Sequence, residues 1–340
     1  MSSRASIKDV AAAAGVSYKT VSRVVNGVTT VDEAIRTRVE SAIQELHYVP
    51  NTAARSLKTG APNTVGILVD SIDDVFFAAV ISAIEDRAIA HDLAVVIGST
   101  GHNAEREKDQ LLRLAGQNVL GVIMAPAAPR LDYFEPYRTT TPLVAIDREL
   151  PGYDSVTVDD YHAASVLVEL LVRVGHVRIG LLGWDPAFST ATRRREAYAA
   201  VLSRHGIKSD PSLAPVLPFD ARGAAAAVEA MLALDEPPTA LFLSNARHAA
   251  SVVSTLHAIG RTDIAVVSFG DFLLADAVRP AITCMDQDPY EIGAFAFDRL
   301  LALAAQPSGA EPTLQQLPTR FVERQSHLAA FPTSSFAASA

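Results

Sequence analysis

Tyr18, Lys19 and Arg23 place a phenol, an ammonium and a guanidinium within six positions, one helical turn separating the first two from the third. Lysine and arginine donors match the O6 and N7 acceptors of guanine, and a phenol can donate a hydrogen bond or touch a thymine methyl. The same three side chains would also serve as the solvated face of a small helical bundle. Chemistry of the catalytic kind is sparse. There is no G-x-S-x-G elbow, phosphate-binding glycine loop, dinucleotide fingerprint or H-E-x-x-H pair, so no catalytic residue is assigned. The lone Cys284 excludes an internal disulfide and a multi-cysteine metal site, and its setting in Ala281–Cys284 suits a small buried hydrophobe in a strand. No metal or cofactor is expected.

Short helices must carry these groups. Ile7, Val10, Ala11 and Ala14 form a helical stripe, and Gly15 permits a tight turn after it. Ser17 caps a second helix running to about Val25, with Val21, Val24 and Val25 inward. Asp32 caps a third whose apolar face is Ile35, Val39, Ala42, Ile43 and Leu46. Residues 51–60 could form two helical turns at most, shorter than a helix that persists alone in water.

From Thr64 the pattern becomes strand, loop, helix, repeated. Apolar runs at 65–69, 93–97, 119–124 and 142–146 form one set, and 176–182, 239–243 and 264–269 a second. Alternating buried strands and helices predict two parallel α/β subdomains, whose ligands bind beyond the carboxyl ends of the strands. At 340 residues, with 49% hydrophobic and 20% charged residues, two or three globular cores fit. No apolar run approaches a membrane span, and the N-terminus lacks a signal-peptide core, so a cytoplasmic protein is expected.

Charge divides unevenly. Residues 1–61 hold eight Lys/Arg and five Asp/Glu, a net of +3; the totals of 29 and 38 leave 21 and 33 for the rest, a net of −12. Any affinity for nucleic acid must therefore reside in the head.

The segment IKDVAAAAGVSYKTVSRVVN from Ile7 to Asn26, followed by LHYVPN from Leu46 and ARSL from Ala54, resembles the LacI/GalR family of bacterial repressors, and the likeness extends to about Arg324. It implies an all-α helix-turn-helix head and a periplasmic-binding-protein-like body of two doubly wound parallel-sheet subdomains. The division expected is 1–50 for DNA binding, 51–62 for a hinge helix and linker, 63–330 for effector binding and dimerisation, and 331–340 for a flexible tail. On that reading Tyr18, Lys19 and Arg23 meet bases in the major groove, and Ser17, Thr20, Ser22, Asn26, Tyr48 and Asn51 reach phosphates, which fix the register without reading sequence. Ala54, Arg55 and Leu57 form a hinge helix that folds on DNA, the leucine entering the minor groove as a wedge.

The resemblance also places effector contacts at Phe76, Phe77, Asp147, Arg148, Phe188, Thr190, Arg194, Phe219, Asn245 and Asp271, with one of Phe76 and Phe77 as core and Asp147–Arg148 as an internal ion pair the competing readings. Arg194 matches an arginine that forks onto hydroxyl pairs or carboxylates; of the run Arg193–Arg195, two must face elsewhere because consecutive helical residues diverge. The chain departs from the family pattern at Gly270, where an acidic acceptor is common, and at Ala246 after Asn245. Fewer acceptors beside several arginines favour a sugar acid over a neutral sugar as effector. The implied partners are a palindromic operator in double-stranded DNA, a small-molecule effector and a second copy of the chain; the tail lacks the leucine heptads of tetrameric members. The competing readings are a solute-binding protein or a sugar-handling enzyme with no DNA role.

Overall fold

The computed structural model describes residues 5–25, 27–48, 62–217, 221–305 and 311–328. The chain divides into two compact units, Met1–Asn63 and Thr64–Ala340.

In the first unit, helices α1 (Ile7–Ala14), α2 (Tyr18–Val25) and α3 (Glu33–Glu45) each begin at a side-chain cap. Ser6 and Asp9 close a reciprocal capping box, with Ser6 N donating to Asp9 Oδ2 at 2.8 Å and Asp9 N to Ser6 Oγ at 3.4 Å. Gly15, at φ +64°, ends α1 in the left-handed conformation and returns its N–H to Ala11 and Ala12. Ser17 Oγ accepts from Thr20 N at 3.1 Å, and Asp32 Oδ1 accepts from Ala34 N at 3.0 Å. Helices this short hold only by packing. Val10, Val21 and Val39 are fully buried, and Ala11, Ala14, Val24 and Ala42 let the three helices close on them.

In the second unit, one six-stranded sheet has the order β10-β5-β4-β3-β1-β2, all parallel. Its strands are β1 (Thr64–Val69), β2 (Ala94–Ser99), β3 (Val122–Met124), β4 (Leu143–Ile146), β5 (Asp154–Val158) and β10 (Leu314–Leu317). Helices α4 (Val75–Ala90), α5 (Ala104–Gly116) and α10 (Pro289–Ala305) cover it. The other sheet, β11-β9-β8-β7-β6, comprises β6 (Ile179–Leu182), β7 (Ala240–Leu243), β8 (Ala265–Phe269), β9 (Thr283–Asp286) and β11 (Arg320–Val322). Around it lie α6 (Asp160–Arg173), α7 (Ser189–Arg204), α8 (Ala221–Leu232) and α9 (Ala246–Ala258). Among the described strands, only β11 runs antiparallel to its neighbour.

Two lobes result, joined where β5 leads into α6, β9 into α10 and β10 into β11. The apolar periodicity predicts seven of these strands, and the Cys284 setting an eighth. It misses β10, β11 and β5, the last because Asp154, Ser155 and Thr157 break the run. All three are nevertheless buried, and Asp154 is satisfied by Arg299 Nε at 2.8 Å and Thr313 N at 3.2 Å. Cys284 lies buried in β9, where burial pushes its thiol up to about 12. Among the described residues no helix is long and apolar enough to cross a membrane, and no group of three or more His, Cys, Asp or Glu could hold a metal ion.

Candidate functional site

The head presents one wet face. Val21 and Val24 anchor α2 in the core, so Tyr18 stands 53% exposed with Lys19 and Arg23 exposed beside it. No carboxylate lies on α2, and the face is cationic. Arg23 Nη2 donates to Thr30 Oγ1 at 2.7 Å, which ties the end of α2 to the following loop. Arg36 Nη2 holds that loop through Val28 O at 3.0 Å. Of the residues expected at phosphates, Ser17 and Thr20 share a hydroxyl contact of 2.9 Å at the start of α2. Ser22 and Tyr48 are half-buried, with the Tyr48 ring packed on the head core. Asn26, Asn51, Ala54, Arg55 and Leu57 lie outside the described residues.

The body holds a cavity of about 520 Å³ between its lobes, lined by residues at the carboxyl ends of β1, β4, β7, β8 and β9 and by Trp184, just beyond β6. Phe76, Phe77, Asp147, Arg148, Thr190, Arg194, Asn245 and Asp271 all line it. Phe219 lies outside the described residues. Phe188 is not on the wall; it stacks behind Trp184 at 4.6 Å and 9°. The sequence reading missed Asp70, Asp74, Trp184 and Gln287 on the wall. An acid or aromatic just past a strand carries no periodic signal, and only the strand-end rule would single it out.

Several predicted contacts carry structural duties as well. Asn245 Oδ1 caps α9 by accepting from His248 N at 2.7 Å. Asp271 is gripped by Arg324 at 3.0 and 2.6 Å, and that guanidinium outweighs burial to hold the carboxyl below its usual range. Gly270 sits at φ +91°, and a Cβ there would come within 3.1 Å of the Ala246 Cβ, which explains why an aspartate is absent. Arg194 is buried: Nε and Nη2 bond Asp160 at 2.8 and 2.7 Å, Nη1 bonds Ser244 O at 2.6 Å, and the guanidinium lies 3.6 Å from the Phe269 ring centre. At most two of its five N–H groups remain for a ligand. Arg193 meets Glu149 at 3.6 Å and Arg195 meets Ala214 O at 2.8 Å, so this run splits three ways as helical geometry requires.

Arg148 is likewise committed. It pairs with Asp70, donates to Pro126 O at 2.6 Å and approaches Asp147 Oδ2 at 3.1 Å. Asp147 has φ +66°, and the Arg148 N–H closes a three-residue turn onto Ile146 O at 2.7 Å. Such a backbone costs about 1–3 kcal/mol in a non-glycine residue and aims the carboxylate at the cavity. The described wall therefore carries five carboxylates (Asp70, Asp74, Asp147, Asp271, Asp286) against two guanidiniums. This corrects the sequence-based picture of an arginine-rich, acceptor-poor cleft: the arginines neutralise acids that the sequence scatters. Burial raises Asp147 and Asp74 despite Arg148 and Arg247, as expected where acids outnumber cations.

Glu107, fully buried behind this wall, accepts from Ala127 N and from Ala128 N at 3.3 Å, yet burial lifts its carboxyl to about 7. A raised folded pKa stabilises the fold fully below the ordinary value of 4.5 and is lost as pH climbs toward 7. At most about 3 kcal/mol is involved, or roughly 6 °C in melting temperature for a body of this size. The melting temperature is expected to fall between pH 5 and pH 8, and Glu107→Gln to remove several degrees of that fall. A profile identical to wild type in differential scanning calorimetry would show that Glu107 stays ionised.

Comparison with known proteins agrees with this geometry. A family model described as bacterial regulatory proteins, lacI family, matches residues 6–51, and one described as a periplasmic binding protein-like domain matches 168–327. The HTH-type transcriptional regulator GalR of Escherichia coli (strain K12) is 32% identical over 306 residues, covering 88% of this chain and 89% of its own. Catabolite control protein A of Priestia megaterium is 30% identical over 327 residues, covering 94% and 98%. Among solved structures, the Lac repressor dimer bound to operator and the anti-inducer ONPF superposes with a TM-score of 0.82 at 28% identity, over 96% of this chain and all of that one. With the lacI-family match on the three-helix head and identities of 30–32% to relatives over most of their length, the chain belongs to the LacI/GalR family of DNA-binding transcriptional regulators.

Proposed function

We propose that the protein is a cytoplasmic repressor that binds a palindromic operator as a homodimer and releases or grips it according to a small ligand in the body cavity. The observation that carries this reading is the outward set of Tyr18, Lys19 and Arg23 above a buried Val21 and Val24. Those three read bases, while Ser17, Thr20, Ser22, Asn26, Tyr48 and Asn51 hold phosphates. Residues 1–50 are the reading head, 51–62 the hinge with Ala54, Arg55 and the Leu57 wedge, 63–330 the effector and dimer body, and 331–340 a tail. One head spans only a few base pairs, so two related by a dyad demand a symmetric site. The relative solved as a dimer on its operator supports that arrangement. The ligand is bound and released without chemical change.

The ligand we infer is a neutral or amine-bearing sugar, held by Asp147, Asp74 and Gln287 with Phe76 and Phe77 against its apolar face. Asp271 and Asp286 are paired from outside the wall by Arg324 and Arg320. But Asp70, Asp74 and Asp147 are offset on the wall by Arg148 and by an Arg194 already bonded to Asp160, a balance that disfavours an anion. In a thermal-shift panel of sugars, amino sugars and sugar acids, a ligand at a hundred times its Kd adds about 2.7 kcal/mol, near 5 °C here. Response to a sugar acid alone would refute the inference. The function itself is tested by selecting bound duplexes from a random pool with and without the responding ligand. Enrichment of a palindrome whose recovery changes with ligand is expected; enrichment of none refutes the regulator reading.

A further inference from the structure

The wall of the cavity contains a cluster that serves neither DNA contact nor ligand hydrogen bonding alone. His102, in the loop after β2, and Arg148, after β4, belong to the first lobe; Trp184 and Phe188, between β6 and α7, belong to the second. Across the gap the His102 ring meets Trp184 edge-on at 4.8 Å and Phe188 at 5.4 Å. The Arg148 guanidinium lies 4.8 Å from the Phe188 ring centre and 5.6 Å from that of Trp184. Behind the His102 ring and the Arg148 guanidinium, Asp70 pairs with Arg148 and contacts His102 Nδ1 at 3.1 Å. Asp70, Arg148 and Trp184 are each less than one-tenth exposed. Separating the lobes would wet two aromatic rings and a buried ion pair together, so the cluster favours a shut cleft through both packing and cation–π attraction.

We propose that Trp184, stacked on Phe188 and clasped by His102 and Arg148, is the latch that holds the two lobes closed over the cavity. The proposal rests on the cavity being the effector site only for its consequence: Asp70, Arg148 and Trp184 also form cavity wall, so a ligand seated there adds its contacts to the closed state alone and shifts the lobe equilibrium. A second bridge works in parallel, since Arg247 on α9 grips Asp73, before α4, at 2.9 and 3.1 Å. Trp184 is thus a positioning residue, and it reports its own position.

It is the single tryptophan of the chain, so intrinsic emission reads this site alone. The test is acrylamide quenching of the full-length protein without ligand, comparing wild type, His102→Ala, Phe188→Leu and the double variant His102→Ala/Arg247→Ala, each first checked for native circular dichroism. Wild type is expected to show blue-shifted emission and weak quenching. Loss of His102 or of the Phe188 ring is expected to raise the quenching constant about threefold, as the open population grows. Adding Arg247→Ala is expected to raise it further, because both bridges hold one closed state, whereas a tryptophan merely packed within its own lobe would not sense Asp73 and Arg247. Wild-type quenching equal to a surface indole, or no further rise in the double variant, overturns the latch. Since no ligand is used, that failure would leave the effector reading standing, and a failed ligand screen would leave the latch standing.

Discussion

Replacing Tyr18 and Lys19 together by alanine is expected to lower affinity for the selected operator about a thousandfold while changing affinity for random duplex by less than about fivefold. The magnitude follows from the geometry of α2. Neither side chain belongs to the head core, so truncation leaves the Val10–Val21–Val39 packing in place. A base contact contributes about 1–3 kcal/mol, and taking the low end for two residues in each of two heads gives about 4 kcal/mol, or three decades. Nonspecific binding depends on neutralised phosphates, of which Lys19 supplies one per head at most. Thr20→Ala provides the contrast, as loss of a hydroxyl placed at the start of α2 weakens operator and random duplex alike. Gel-shift titrations at one salt concentration decide the matter. Equal losses on both duplexes for the double variant would mean that α2 lies on the backbone and that sequence is read by some other element.

The legibility of this protein tracks the distance between the residues that explain each feature. Every helix of the head is written locally: Ser17 three residues before Thr20, Asp32 two before Ala34, valines at helical spacing. The parallel sheets are nearly as plain, because strands buried on both faces read as apolar runs. Strand β5 escaped because Asp154 finds its partners Arg299 and Thr313 only in three dimensions. The cavity was legible in outline, since strand ends collect at a parallel sheet's carboxyl edge, but its sign was not. Asp70 lies 78 residues from Arg148 and Asp160 lies 34 from Arg194, so composition saw arginines where folding makes ion pairs. Trp184 was invisible as a site residue because one aromatic in a Gly-Trp-Asp-Pro turn has no pattern to belong to.

Arg194 separates the two readings of the cleft most sharply, and Arg194→Met is expected to destabilise the body by about 3–5 kcal/mol, lowering its melting temperature by roughly 8 °C before any ligand is added. The methionine keeps an apolar stem over Phe269 but removes both bonds to Asp160, which is itself less than one-tenth exposed. Burial already lifts Asp160 to about 6 against the pull of Arg194. Without that guanidinium the carboxyl must either stay charged in a poor solvent or take up a proton, and the second choice makes the loss larger at pH 8 than at pH 5. Ser244 O also loses its donor. Asp160→Asn in the same chain removes the orphaned charge, so the double variant is expected to recover more than half of the lost stability, the non-additive signature of a coupled pair. A ligand-dedicated arginine predicts the opposite pattern: near-wild-type melting for Arg194→Met, no rescue by Asp160→Asn, and a defect confined to effector response. Calorimetry of the four proteins at pH 5 and pH 8 distinguishes the two, and the bonds already committed to Asp160 and Ser244 favour the first.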